Sequence, residues 1–141
     1  MTGWHQLDLL KDPRRQRGTK PPPALEVETH IALADTLRKG GLSPGWWWSH
    51  IGHGGKRSAE TGRLLKRMGL QPGIPDFLFY DPEGREYWLE LKRGRAPLTD
   101  GQLDFIAIME ARGVPCAVAR SYQAAIDQLT LWGAIRVRIS A

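Results

Sequence analysis

The stretch PDFLFYDPEGREYWLELK, residues 75–92, decides the reading of this chain. Pro75–Tyr80 and Glu86–Lys92 have the composition of strands. Asp81-Pro82-Glu83-Gly84 between them is turn chemistry, with proline second and glycine last. In the second strand Tyr87, Leu89 and Leu91 point one way, and Glu86, Trp88, Glu90 and Lys92 the other. Glu90 and Lys92 are therefore neighbours on one face. The first strand opens on Asp76 and then turns apolar through Phe77, Leu78 and Phe79. A carboxylate heading an apolar strand is costly unless it is paired, hydrated or bound to a metal ion.

Whether Asp76 and Glu90 meet depends on register. If Tyr80 pairs with Arg85, Asp76 faces Leu89 and the two carboxylates lie on opposite faces. If Tyr80 pairs with Glu86, Asp76 faces Glu90. A slip of one residue reverses every side chain. The expected arrangement is the second, with a five-residue connection or a bulge. It would bring the carboxylates within about 4.5–5.5 Å, the usual cross-strand spacing. The plain alternative is an exposed strand carrying an ordinary Glu–Lys pair.

Working outward, ALEVETHIALADTLRK (24–39) reads as a helix with Leu25, Ile31, Leu33, Ala34 and Leu37 apolar, stopped by Gly40-Gly41. Trp46–Ile51 is short, aromatic and strand-like. Three successive tryptophans cannot all be core if they alternate, so one or two are exposed. Ser58–Met68 is a second helix with Ser58 as N-cap and a narrow stripe of Leu64, Leu65 and Met68. Thr99–Arg112 is a third helix, Pro115–Ala119 a short buried strand, Ser121–Leu131 a fourth helix and Ile135–Ile139 an edge strand. The expected fold is α/β, a mixed β-sheet flanked by α-helices. Residues 1–23, basic and ending in Pro21-Pro22-Pro23, read as an arm, and 24–141 as one domain. Trp88 and Trp132 are expected in the core, although Trp88 shares the Glu90 face and offers a wall for the site.

The chain has 141 residues, one cysteine, 41% hydrophobic residues and a formal net charge of +5. One domain of this size folds without staples. A single cysteine excludes an internal disulfide and a cysteine-rich zinc site. No apolar run reaches the roughly 20 residues of a membrane span, and the N-terminal sequence lacks the pattern of a secretory signal, so a cytoplasmic protein is expected. The charge is unevenly placed. From Asp35 to Met68, Arg38, Lys39, Lys56, Arg57, Arg63, Lys66 and Arg67 face only Asp35 and Glu60. This segment leads directly into the acidic residues. It suits contact with phosphates, which carry no base information; a solvated helix face is the alternative. His50 and His53 flank Ile51-Gly52 within a glycine-rich, basic loop that runs to Lys56 and Arg57, where close backbone approach to phosphate is possible. Zinc there would lack a third ligand nearby.

Oxygen ligands such as Asp76 and Glu90 suit Mg²⁺ or Mn²⁺. Such an ion lowers the pKa of a bound water and neutralises charge on a phosphodiester, and Lys92 could position the water or stabilise the transition state. Pro75-Asp76 followed by Glu90-Leu91-Lys92 resembles the PD-(D/E)xK nucleases. With Gly69-Leu70, Gly73-Ile74, Arg93-Gly94-Arg95, Leu98-Thr99 and Gln102, the chain resembles the VRR-NUC family, the virus-type replication-repair nucleases, over about residues 26–133.

The resemblance implies a restriction-endonuclease-like core. It implies that Asp76, Glu90 and the Leu91 carbonyl bind the metal, that Lys92 is the catalytic lysine and that Gln102 orients Lys92 or the scissile phosphate. It implies a further glutamate from the first helix. Glu26 is favoured because it stands at i and i+4 with His30, and Glu28 is the other candidate. Gln102 has a second explanation, since Thr99-Asp100-Gly101-Gln102 is a capping box. Arg93 and Arg95 join His50, His53, Lys56, Arg57, Arg63, Lys66 and Arg67 as candidate DNA contacts. The implied function is an Mg²⁺- or Mn²⁺-dependent DNA endonuclease, a homodimer acting on Holliday junctions or other branched DNA. The alternative is a DNA-binding or packaging accessory with the same fold and little catalysis.

Overall fold

The computed structural model describes residues 23–51 and 58–136, with side chains from Val27 onward in the first helix. The elements are α1 (Pro23–Thr36), β1 (Trp47–His50), α2 (Ala59–Arg67), β2 (Phe77–Tyr80), β3 (Glu86–Leu91), α3 (Asp100–Ala111), β4 (Cys116–Ala119) and α4 (Tyr122–Trp132). The four strands form one mixed sheet in the order β1-β2-β3-β4. The first two pairings are antiparallel and β3–β4 is parallel. That parallel step carries α3 as its crossover, as a parallel connection requires.

The hairpin has the register that places Asp76 with Glu90. Tyr80 pairs with Glu86 and Phe77 with Leu89, leaving five residues, 81–85, in the connection. Asp81 holds that loop closed. Its Oδ1 accepts the Glu83 and Arg85 amides at 2.9 and 2.8 Å, and its Oδ2 accepts the Tyr87 hydroxyl at 3.1 Å. Gly84 takes φ 82°, which glycine tolerates at no steric cost. Burial works to raise the Asp81 pKa, but the Arg85 amide, the Tyr87 hydroxyl and the Glu83 amide together hold it below the usual carboxylate value.

Strand alternation sends side chains into two cores. On one face Phe77, Phe79, Leu89, Leu91, Ala117 and Ala119 pack against Leu33 and Leu37 of α1 and its extension and Ala125 and Leu129 of α4. On the other face Trp88 and Cys116 pack against Leu98 and against Ile106 of α3. Trp88 is thus a core residue, edge-on to Phe105 with ring centroids 5.1 Å apart, rather than a wall of the site. Trp132 packs on Tyr87 and Phe79. Of the three tryptophans, Trp46 and Trp48 pack on the first core and Trp47 is exposed, as alternation requires.

Several boundaries differ from those read in the sequence. α1 gives way after Thr36 to a wide turn over Leu37–Gly41, because Gly40 adopts φ 92°. Ile31, expected on the apolar face of this helix, is exposed, whereas Leu33 and Leu37 are buried. α2 has its Ser58 cap, with Oγ accepting the Thr61 amide, but buries no residue: Leu64 and Met68 face outward. Of the expected edge strand, Ile135 forms an antiparallel bridge with Leu42, and residues 137–141 lie outside the described residues. The arm, residues 1–22, lies outside them as well. Among the described residues no helix is long and apolar enough to cross a membrane.

Candidate active site

Asp76 stands immediately before β2, where two backbones fix it. Its carbonyl accepts the Ile51 amide at 2.7 Å and faces His50 Nδ1 at 2.8 Å. A carbonyl only accepts, so Nδ1 carries the proton in this contact, which leaves His50 Nε2 for another partner. The Asp76 side chain reaches across the hairpin, and its Oδ2 accepts the Leu91 amide at 2.8 Å. His30 of α1 brings Nε2 to 3.9 Å from the same Oδ2. The His30 and His50 rings meet edge to face, with centroids 5.3 Å apart, and both lie over Phe77.

Glu90 is 5% exposed. One oxygen, Oε1, accepts Gln102 Nε2 at 2.9 Å. The other, Oε2, is buried and has no hydrogen-bond partner among the described residues. Burial and then the negative charge of Asp76 push the Glu90 pKa up to about 9, against the opposing charge of Lys92. A buried carboxylate oxygen with no donor beside a second carboxylate is a place for a cation.

Gln102 completes the capping box and also reaches the site, where its partner is Glu90 rather than the Lys92 or phosphate expected of it. Its Oε1 accepts the Thr99 amide at 2.9 Å, while its own amide donates to Thr99 Oγ1 at 3.2 Å, completing the capping box of α3. Its remaining polar group, Nε2, is the donor to Glu90. The helix start is therefore tied directly to the carboxylate.

Gly73 sets that helix start against the Asp76 segment. It has φ 80°, and a Cβ there would stand 2.1 Å from the Gly101 carbonyl carbon and 2.3 Å from the Gln102 nitrogen. Only a glycine lets the two backbones approach this closely. The Gly73-Ile74-Pro75-Asp76 run thus positions Asp76 and Gln102 together.

The remaining expected residues fall into three groups. Lys92 follows β3 and is partly buried, its amide bonded to the Ala119 carbonyl at 2.9 Å. Arg93 is partly buried and Arg95 exposed, while Arg63, Lys66 and Arg67 are exposed on α2. His53, Lys56 and Arg57 lie outside the described residues. Glu26 occupies the α1 position one turn before His30, and its side chain is outside the described ones; Glu28 is exposed. Among the described residues no group of three or more His, Cys, Asp or Glu is gathered as a metal cage. The donor set at hand is the pair Asp76 and Glu90. His30 is the participant that strand reasoning passed over, although its i, i+4 relation to Glu26 was the available signal.

Comparison with known proteins adds one likeness. The chain is similar to a VRR_NUC domain. That solved structure superimposes with a TM-score of 0.49 at 18% identity, over 75% of this chain and 94% of that chain. No family model and no curated protein matches the chain.

Proposed function

We propose that this chain is a metal-dependent endonuclease of the VRR-NUC type that hydrolyses phosphodiester bonds in DNA. The observation that carries the reading is the Glu90 carboxylate: buried beside Asp76, held by Gln102 through Oε1, and left with Oε2 unpartnered among the described residues, two residues before Lys92. A neutral protein would gain nothing from this arrangement, whereas a divalent cation would satisfy it. Asp76, Glu90, the Leu91 carbonyl and Glu26 are the groups that would hold Mg²⁺ or Mn²⁺. The ion supplies charge neutralisation at the phosphate and a more acidic water.

The chain's own groups have distinct tasks. The Leu91 amide and the His50 ring fix Asp76 from two sides. Gln102 fixes the orientation of Glu90. Lys92 brings a positive charge to the carboxylate pair, where it would stabilise the negative charge that builds on the phosphate oxygens during hydrolysis. The exposed Arg63, Lys66 and Arg67 of α2 give the DNA backbone a landing surface, and their contacts would be strongly salt-dependent. Branched DNA, including the Holliday junction, is the proposed substrate, and a homodimer the proposed active form. The outward Leu64 and Met68 give a second copy an apolar surface to cover.

The test is a substrate panel of plasmid, flap and four-way-junction DNA, incubated with Mg²⁺, Mn²⁺ or EDTA. Wild type should cut at least one of them with metal and none with EDTA. Lys92→Ala should still shift the DNA in a gel and lose cleavage by at least about 100-fold, the lower range for removal of a group that stabilises developing charge. Wild type that shifts every DNA and cuts none would make the chain a binding module.

A further inference from the structure

Beside Lys92 the structure forms a small pocket whose polar lining is cationic or hydroxylic. Lys92, Arg93 and Arg120 line it, with Thr29 from α1 and Ser121, the N-cap of α4. Among the described residues no carboxylate lines it. Arg93 Nη1 is buried and has no hydrogen-bond partner among the described residues. Arg120 is occupied differently. Its Nη1 donates to the Gly94 and Ala96 carbonyls at 3.1 and 2.8 Å, which pins the loop that carries Arg93.

A buried guanidinium nitrogen without an acceptor is expensive, because its N–H groups have left water and gained no acceptor in return. Folded proteins keep such a group where a ligand completes it. The ligand must be an anion, since three cations line the pocket and an N-terminal helix end adds a further positive potential. It must also be oxygen-rich and tetrahedral or planar, because guanidinium and hydroxyl donors converge on it.

We propose that this pocket binds a phosphate group of the substrate strand, the one next to the phosphate that is cut. This inference rests on the nuclease reading for the identity of the strand, but the anion site itself does not. Lys92 then stands between two phosphates, one at the carboxylate pair and one against Arg93. The second contact fixes the strand's position along the site without reading any base. Ser121 donates its hydroxyl to the same group, and Arg120 serves as the positioning residue that holds the 93–97 loop.

The experiment has two arms. In the first, the full chain in low-salt, phosphate-free buffer with EDTA is melted with increasing inorganic phosphate. Wild type and Glu90→Gln should both gain thermal stability. Arg93→Gln should show no gain, and without phosphate it should melt no lower than wild type, because the group it removes has no partner. A structural role for Arg93 predicts the opposite: Arg93→Gln melts lower with and without phosphate. Arg93→Lys should restore part of the phosphate response. In the second arm, DNA binding is followed against salt, again with EDTA. Arg93→Gln should lower the slope of log K against log salt by about 0.9, the value for one lost contact to duplex phosphate.

A phosphate response with an unchanged DNA slope would show a site for a free anion only and would overturn the assignment to the strand. No phosphate response in wild type would overturn the site. Loss of the nuclease reading, by contrast, would show as absent cleavage with the first arm intact.

Discussion

Replacing Glu90 by glutamine should make the metal-free protein more stable at neutral pH, although it removes a residue from the centre of the site. In the folded chain the Glu90 carboxyl is pushed from 4.5 up to about 9, by burial first and the charge of Asp76 second. A carboxyl raised in this way holds its proton when folded and releases it when unfolded. Its full stability is present below pH 4.5 and is lost progressively as pH rises toward 9. At pH 7 the proton is still bound in the fold, so the exact folded value hardly matters. The 2.5 pH units above the reference value of 4.5, at about 1.36 kcal/mol each, come to about 3 kcal/mol.

Glutamine carries no such penalty. Its carbonyl can accept Gln102 Nε2 as Glu90 Oε1 does, and its amide can donate to Asp76 from the place of the unpartnered Oε2. Thermal melts in EDTA between pH 4.5 and 7 should therefore show the two proteins diverging. The variant should end about 10 °C above wild type, using a few degrees per kcal/mol for a chain of this size. Mg²⁺ should raise the melting temperature of wild type and leave Glu90→Gln nearly unmoved. Equal melting curves across this range, or a variant less stable at pH 7, would refute the claim that burial and Asp76 keep Glu90 protonated in the fold.

Metal affinity should follow the same proton. Because Glu90 must ionise to bind, apparent Mn²⁺ affinity by titration calorimetry should rise about tenfold per pH unit between pH 6 and 8. Gln102→Ala should lose about 1 kcal/mol of stability through the broken capping box, and turnover should fall further than that loss explains, since Glu90 also loses its anchor. Gln102→Glu keeps the cap-side acceptor but sets a carboxylate against Glu90; it should preserve helix content by circular dichroism and still cut poorly. Gly73→Ala should destabilise the fold by more than about 2 kcal/mol in urea unfolding, because it combines a left-handed backbone with a Cβ overlapping Gly101.

The strands and turn of the hairpin were legible in the sequence because they are decided locally, while its register stood between two pairings. Asp81-Pro82-Glu83-Gly84-Arg85 can close as a five-residue connection only when Asp81 caps its own loop, and period-two alternation then carries Asp76 to Glu90's face. Capping residues Ser58, Thr99 and Ser121 were legible for the same reason. What was not legible depends on pairing between distant segments. His50 reads as a phosphate contact in a basic loop, yet the β1–β2 register sets it opposite Phe77 and onto the Asp76 carbonyl. His30 reaches Asp76 only because α1 packs across the sheet. Gln102 presented a choice between cap and site, and a side chain with an acceptor at one atom and donors at the other resolves both. The stripe on α2 has helical spacing, but spacing does not say what covers it, and Leu64 and Met68 remain outside.

Anomalous scattering from Mn²⁺ in crystals of the wild-type protein tests the central claim most directly. A peak within about 2.0–2.2 Å of Glu90 Oε2 and of an Asp76 carboxylate oxygen, absent from Glu90→Gln crystals grown alike, is the predicted result. Crystals that hold Mn²⁺ only elsewhere, with Glu90 still buried and unligated, would contradict it.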